Sequence, residues 1–258
     1  WNLQLAFKGQ ELQKREEFVK REEEDAKKPE NMLNIIQLDP MEVEVGYNLV
    51  PLVEEDKGGI LDRLSLIRRQ IAVELGFILP LIRIRDNLQL RPGEYVIKLK
   101  GVQVGSGELM VGHYLAIESD LVKEKVKGIS TTDPAFGLPA LWVTEENKDT
   151  AEEFGYTVVD PSSVLITHLS EMIKRYAHEL LGRREVEKLM DNLRKDYGTL
   201  IDEIVPNLLS MGQVQRVLQN LLREGISIRD MVTILETLSE YASGTKELDV
   251  LTEYVRAA

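Results

Sequence analysis

The apolar residues change their period partway along this chain, and that change limits the fold more than any single motif does. Met41, Val43, Val45 and Tyr47 alternate with acidic residues and Gly46, the period of two expected of a half-buried strand. Gly58-Gly59 then lead into ILDRLSLIRRQIAVELG, where Leu61, Leu64, Ile67, Ile71 and Leu75 recur at helical spacing and Gly76 supplies a stop. Pro80 to Asp86, Glu94 to Lys100 and Val102 to Val104 read as further strands, separated by Arg91-Pro92-Gly93 and by Gly101. After Gly182 the pattern is helical to the end. A chain patterned in this way is α/β first and all-α afterwards.

Charge divides the α/β part again. Residues 60–101 carry eight Arg and Lys against four acids, net +4, whereas residues 112–160 carry four Lys against ten Asp and Glu, net −6. The shift predicts a separate small α/β unit over 112–160. It holds a strand at His113 to Ile117, a Lys-rich segment, a short strand at Ala140 to Val143, a helix from Glu145 to Phe154 and a strand from Tyr156 to Val159. Asp160-Pro161 opens the next helix in the favoured N-cap and N1 arrangement, with Val164, Leu165, Leu169, Ile173 and Leu180 along it. Ser210 to Gln213 fits a capping box, Ser227 to Asp230 fits one more loosely, and Gly225 separates the two helices they begin.

The N-terminal stretch is of another kind. Residues 8–30 mix seven basic with eight acidic side chains and end near Pro29, the composition of a solvated helix or linker. Trp1, Leu5 and Phe7 lie among apolar residues too sparse to build a core and are candidates for packing on something else. A start at Trp1 rather than Met reads as a fragment with flanking domains missing.

The sequence carries few signals of catalytic chemistry. Gly101-Val102-Gln103-Val104-Gly105-Ser106-Gly107 is glycine-rich but ends in neither Gly-Lys-Ser/Thr nor the G-x-G-x-x-G order, so it reads as a hairpin turn rather than a phosphate cradle. His113, His168 and His178 have no cysteine partners and no H-E-x-x-H spacing, and they read as packing or surface residues. There is no G-x-S-x-G elbow. No enzyme and no cofactor is implied. A formal charge of −12 disfavours nucleic acid and anionic membranes as general partners. GQVQRVLQNLLREGISIRDMVTILETL resembles a helix-turn-helix, but Ser210 to Ser243 hold three Arg against four acids, too little to neutralise phosphates.

One stretch remains, DPAFGLPALWV at 133–143. Asp133-Pro134 and Gly137-Leu138-Pro139 are turn chemistry, so Phe136 sits in a rigid loop, either capping the core or presented to a partner.

Taken together, LDPMEVEVGYNLVPL, GGILDRLSLIRRQIAVELGFILPLIRIRDN, GEYVIKLKG, DPAFGLPALWV, FGYTVVDPSSVLITHL and AHELLGRREVEKLMDNL stand in the order of a known family. The chain resembles the cytoplasmic region of the FlhA-like (FHIPEP/SctV) export-gate proteins of flagellar type III secretion and their virulence relatives. The resemblance implies a linker at 1–31, a thioredoxin-like α/β domain at 32–111 and 161–180, an inserted small α/β domain at 112–160, and a helical third domain at 181–258. A membrane domain before the chain and a fourth cytoplasmic domain after it would be missing. The implied function is a docking platform on the cytoplasmic side of the bacterial inner membrane that binds export chaperones with their cargo. Other export-apparatus proteins, the ATPase complex stalk and FlhB among them, are implied partners, together with self-association into a ring.

The same resemblance assigns chaperone binding to Asp133, Phe136, Leu138, Val159 and Thr167, with Asp133 and Thr167 as a polar rim around an aromatic anchor. It also makes Trp1, Leu5 and Phe7 inter-subunit contacts. The alternative is a regulatory binding module with a helix-turn-helix-like C-terminal domain; a small-molecule enzyme comes third.

Overall fold

Parallel pairing between the first two strands explains why the chain needs a crossover so early. The computed structural model describes residues 38–54 and 59–258, and Trp1, Leu5, Phe7 and the 1–31 linker lie outside them. Strand β1 (Met41–Val45) runs parallel to β2 (Ile82–Asp86), with Met41 opposite Ile82 and Val45 opposite Asp86. A parallel pair cannot be closed by a tight turn, and helices α1 (Val50–Glu54) and α2 (Ile60–Leu75) lie in the crossover. On α2 the buried stripe is Ile60, Leu64, Ile67, Ile71 and Leu75. Leu61, expected in that stripe, is 57% exposed; Ile60 takes its place because a step of four to Leu64 keeps the stripe on one face.

β3 (Glu94–Leu99) and β4 (Val102–Glu108) complete an antiparallel extension, giving the order β2-β1-β3-β4. Their turn is Lys100-Gly101 at φ of 49° and 80°, the two positive values of a tight hairpin connection. The glycine-rich stretch is therefore a turn only at its first residue; the rest of it is strand.

A second, wholly antiparallel sheet follows in the order β6-β7-β5-β8, built from β5 (His113–Ile117), β6 (Ile129–Thr132), β7 (Pro139–Thr144) and β8 (Thr157–Val159), with α3 (Glu145–Glu153) between β7 and β8. Period two assigns its side chains to two cores. Leu115, Ala140 and Trp142 enter the main core, whereas Ala116 and Val143 pack with Ala151 of α3 and Tyr156 in a smaller one. β6 falls in the segment read only as Lys-rich. Its sequence ISTT holds one large apolar residue, itself exposed, so pairing with β7 rather than any hydrophobic pattern makes it a strand.

Helix α4 (Pro161–Arg175) starts as expected: the Ser163 N–H donates to Asp160 Oδ1 at 2.9 Å and Pro161 occupies the first turn. It stops at Tyr176, so Leu180 belongs to a separate short helix, α5 (Ala177–Leu180). Helices α6 (Arg183–Asp202), α7 (Met211–Arg223), α8 (Met231–Tyr241) and α9 (Leu248–Ala257) form the all-α part, and a π-helical turn at Glu203–Leu208 follows α6.

The capping box on α7 is present in both directions, Gln213 N–H to Ser210 Oγ at 3.3 Å and Ser210 N–H to Gln213 Oε1 at 2.8 Å. Ser210→Ala is expected to lower unfolding free energy by about 1 kcal/mol, measured by urea denaturation. The looser box at Ser227 gives way to Asp230, which caps α8 by accepting the Thr233 N–H at 3.1 Å and its hydroxyl at 2.9 Å. A carboxylate next to the first turn also suits the positive end of the helix dipole.

Candidate functional site

Hairpin β6/β7 closes through residues 133–138, and three hydrogen bonds around one residue make that loop rigid. The Asp133 N–H donates to the Leu138 carbonyl at 2.8 Å, the Gly137 N–H to the Asp133 carbonyl at 2.9 Å, and the Phe136 N–H to Asp133 Oδ2 at 2.7 Å. Asp133 is only 3% exposed. The rim position expected of it is thus corrected: its carboxylate turns inward, where it accepts the Phe136 N–H. Phe136 is 58% exposed and Leu138 43%. The reading of Phe136 as a cap on the core does not survive that exposure.

Thr167 is exposed on α4, and Val159 is half-buried at the end of β8, paired with Leu115 and packed against the main core. Two groups that sequence reasoning set aside form a buried polar pair. Tyr95 of β3 is fully buried, and its hydroxyl lies 2.7 Å from Nδ1 of His168, the residue after Thr167 on α4; the rings meet edge to face. The Asp133 charge acts on both of them, so this turn of α4 and the loop lie within electrostatic reach of each other. The signal was in the sequence as the glycines of β4. A Cβ at Gly105 would come 3.2 Å from the His168 ring, and one at Gly107 would come 2.5 Å from the Tyr95 hydroxyl.

Burial pushes the Tyr95 hydroxyl far up, with Asp133 adding to it. Burial also moves His168 below its ordinary 6.5, against the pull of Asp133 and with help from Arg175. His178 is lowered as well, by burial first and by Arg223 next. A histidine whose folded pKa lies below the unfolded value takes up its proton first in the unfolded chain, so stability is full above about pH 6.5 and declines as pH falls through it. The thermal midpoint is expected to drop between pH 7.5 and 5.5, with a shallower slope in His168→Gln. Asp160 does not act in that window: burial alone would raise its carboxyl, but the Ser163 hydroxyl and N–H and the Arg63 guanidinium hold it low.

Among the described residues no group of three or more His, Asp or Glu side chains is arranged to hold a metal ion, and no helix is long and apolar enough to cross a membrane. Helix α8, second of the pair resembling a helix-turn-helix, carries two glutamates and no Lys or Arg.

Two four-stranded sheets joined to an all-helical C-terminal part define a mixed α/β and all-α protein, the fold of the Chlamydia pneumoniae CdsV protein. That structure aligns with a TM-score of 0.75 at 29% identity over 86% of this chain and 65% of its own. The CdsV and CdsO protein complex of the same organism aligns at 0.74 with 30% identity, over 86% of this chain and 65% of that one. The chain belongs to the FHIPEP family, which it matches over residues 2–258. The flagellar biosynthesis protein FlhA of Bacillus subtilis is 48% identical over 257 residues, and this chain, 98% covered, spans 38% of that protein's length.

Proposed function

We propose that this chain is the docking part of a type III protein-export gate, on the cytoplasmic side of the bacterial inner membrane, where it receives export chaperones carrying their cargo. The observation that carries the reading is Phe136, exposed together with Leu138 on a loop pinned by a buried carboxylate. An aromatic anchor already held in one geometry loses little entropy when a partner covers it, the property expected of a hot spot. A helix laid against the loop would meet Phe136 and Leu138 first, with Thr167 as the polar contact and Val159 as part of the floor. Asp133 serves from below as the loop's anchor. The net −6 of residues 112–160 beside the net +4 of residues 60–101 favours steering, which acts on association rate more than on affinity.

The same reading takes the first sheet with α4 as a thioredoxin-like domain, 112–160 as its insert and 181–258 as a helical third domain. It also includes the ATPase complex stalk and FlhB as partners and assembly of the whole protein into a ring. Titration calorimetry with a purified flagellar export chaperone–cargo complex tests the docking reading: saturable binding supports it, and no binding at either low or physiological salt overturns it. Binding of DNA by a filter assay at low salt would support the helix-turn-helix alternative instead.

A further inference from the structure

The two sheets leave four edge strands, β2, β4, β6 and β8, and three of them carry a feature that discourages pairing with another chain. β2 reads IRIRD, so charged side chains line it. β4 is interrupted where its pairing with β3 steps from Ile97–Gly105 to Lys98–Gln103, which leaves Val104 as a bulge. β8 is three residues long and stops at Asp160-Pro161. β6 differs from all of them. Ile129-Ser130-Thr131-Thr132 is uncharged, in unbroken register with β7 and, apart from half-buried Thr131, exposed. An edge left in that form is a template for an added strand.

The backbone phase of this edge is fixed from both sides of β7. The Asp133 N–H donates to the Leu138 carbonyl at 2.8 Å, so residues 129, 131 and 133 turn their backbone groups toward β7. The Pro139 carbonyl, opposite Thr132, instead turns to β5 and its neighbour, where it accepts the Glu118 N–H at 2.9 Å. The N–H and C=O groups of Ser130 and Thr132 therefore point away from the sheet, and no backbone hydrogen bond from another element reaches them among the described residues.

Charge selects the kind of strand that fits. Three of the four lysines of residues 112–160, Lys123, Lys125 and Lys127, lie in the exposed stretch just before β6. With Glu124 they give residues 121–132 a net charge of +2, while the remainder of 112–160 carries −8. Two copies of this edge would repel each other, whereas an extended acidic segment is attracted. On the face shared with Ala140 and Trp142, Ile129 is 55% exposed and offers apolar contact to alternate side chains of such a segment.

We infer that the free edge of β6 binds an extended acidic segment of a partner protein by strand addition, which becomes the fifth strand of the second sheet. β6 runs directly into the loop that carries Phe136, so a partner covering Phe136 lies alongside the edge. Placing the segment in the chaperone–cargo complex rests on the docking reading; the edge itself does not.

A capped peptide of alternating Val and Glu is the probe, and the same peptide with Lys in place of Glu is its control. In spectra of the 15N-labelled protein the amides of Ser130 and Thr132 are expected to shift saturably with the acidic peptide and to stay still with the basic one. Ser130→Pro removes one outward donor and spares the bonds between β6 and β7, and it should weaken the acidic peptide roughly tenfold. Amides that ignore the acidic peptide, or answer both peptides alike, overturn the proposal. So does slow hydrogen exchange at both positions in the free protein, since the edge would then be paired already; protection that grows with protein concentration would make a second copy of the chain its occupant. Should Ser130→Pro fail to fold, the two peptides decide alone.

With the chaperone–cargo complex, hydrogen exchange at the same two amides should slow roughly tenfold or more. The triple variant Lys123→Glu, Lys125→Glu, Lys127→Glu should associate more slowly and lose most of the salt dependence of its association rate. Binding that leaves both amides unprotected overturns this occupant. Absence of wild-type binding overturns the docking reading, and the peptide titration then judges the edge by itself.

Discussion

Phe136→Ala is expected to weaken binding of a chaperone–cargo complex by about 2 kcal/mol or more, roughly thirtyfold, while leaving the thermal midpoint unchanged. The second half of that result follows from the burial pattern. With 58% of Phe136 exposed, removing its ring uncovers little of the core and creates no enclosed cavity, so the usual cost of an aromatic-to-alanine change in a protein interior does not arise. The hydrogen bonds that shape the loop come from backbone groups and from Asp133, and alanine at 136 keeps its N–H. Binding and stability therefore separate. Thr167→Ala should act in the same direction, because an exposed hydroxyl on α4 has its value in a complex rather than in the fold. A melting temperature that drops together with affinity would show that Phe136 is structural after all, and an unchanged affinity would remove the loop from the docking surface.

Gly76→Ala carries the largest expected loss of stability, about 3 kcal/mol or more. Gly76 ends α2 at φ +90°, and a Cβ there would lie 2.3 Å from the backbone nitrogen of Arg229. The left-handed conformation alone disfavours any other residue. Overlap with backbone atoms adds more, since no side chain can swing away to relieve it. The contact also joins the two halves of the fold: the Ile228 N–H donates to the Leu75 carbonyl at 2.9 Å, directly beside the glycine. Pushing the chains apart there should loosen the helical part from the first sheet. Gly137→Ala is the control, with φ +71° but nothing within 4 Å of its Cβ position, and only about 1 kcal/mol is expected. Urea unfolding of both variants distinguishes strain from overlap; equal losses would mean that the Arg229 contact does not matter.

Much of the architecture was legible because it depends on local chemistry. The period of two at Met41, Val43 and Val45, the stop at Gly76, the cap at Asp160-Pro161 and the capping box at Ser210 each act over a few residues. The stop, the cap and the capping box stand where the sequence puts them, whereas the period of two ends at Val45: Tyr47, expected in the same strand, enters a short 3-10 turn and is 56% exposed. The elements that the sequence hides depend on distant partners. β6 is a strand because β7 lies beside it. Gly105 and Gly107 leave β4 without side chains at two positions for a reason that becomes visible only when α4 and β3 are packed against it. Ser227 fits a cap in sequence as well as Asp230 does, and the geometry of the turn chose between them.

The candidate site divides along the same line. By itself the sequence determined that 133–139 is a rigid turn carrying one aromatic, since proline and glycine restrict backbone angles whatever surrounds them. It could not determine which way the side chains of that turn face. Only the tertiary structure turned Asp133 inward and left Phe136 outside. The physical reason is that a carboxylate can be buried only where a donor is waiting for it, and the Phe136 N–H of the loop's own backbone is in place once β6 and β7 have brought its ends together.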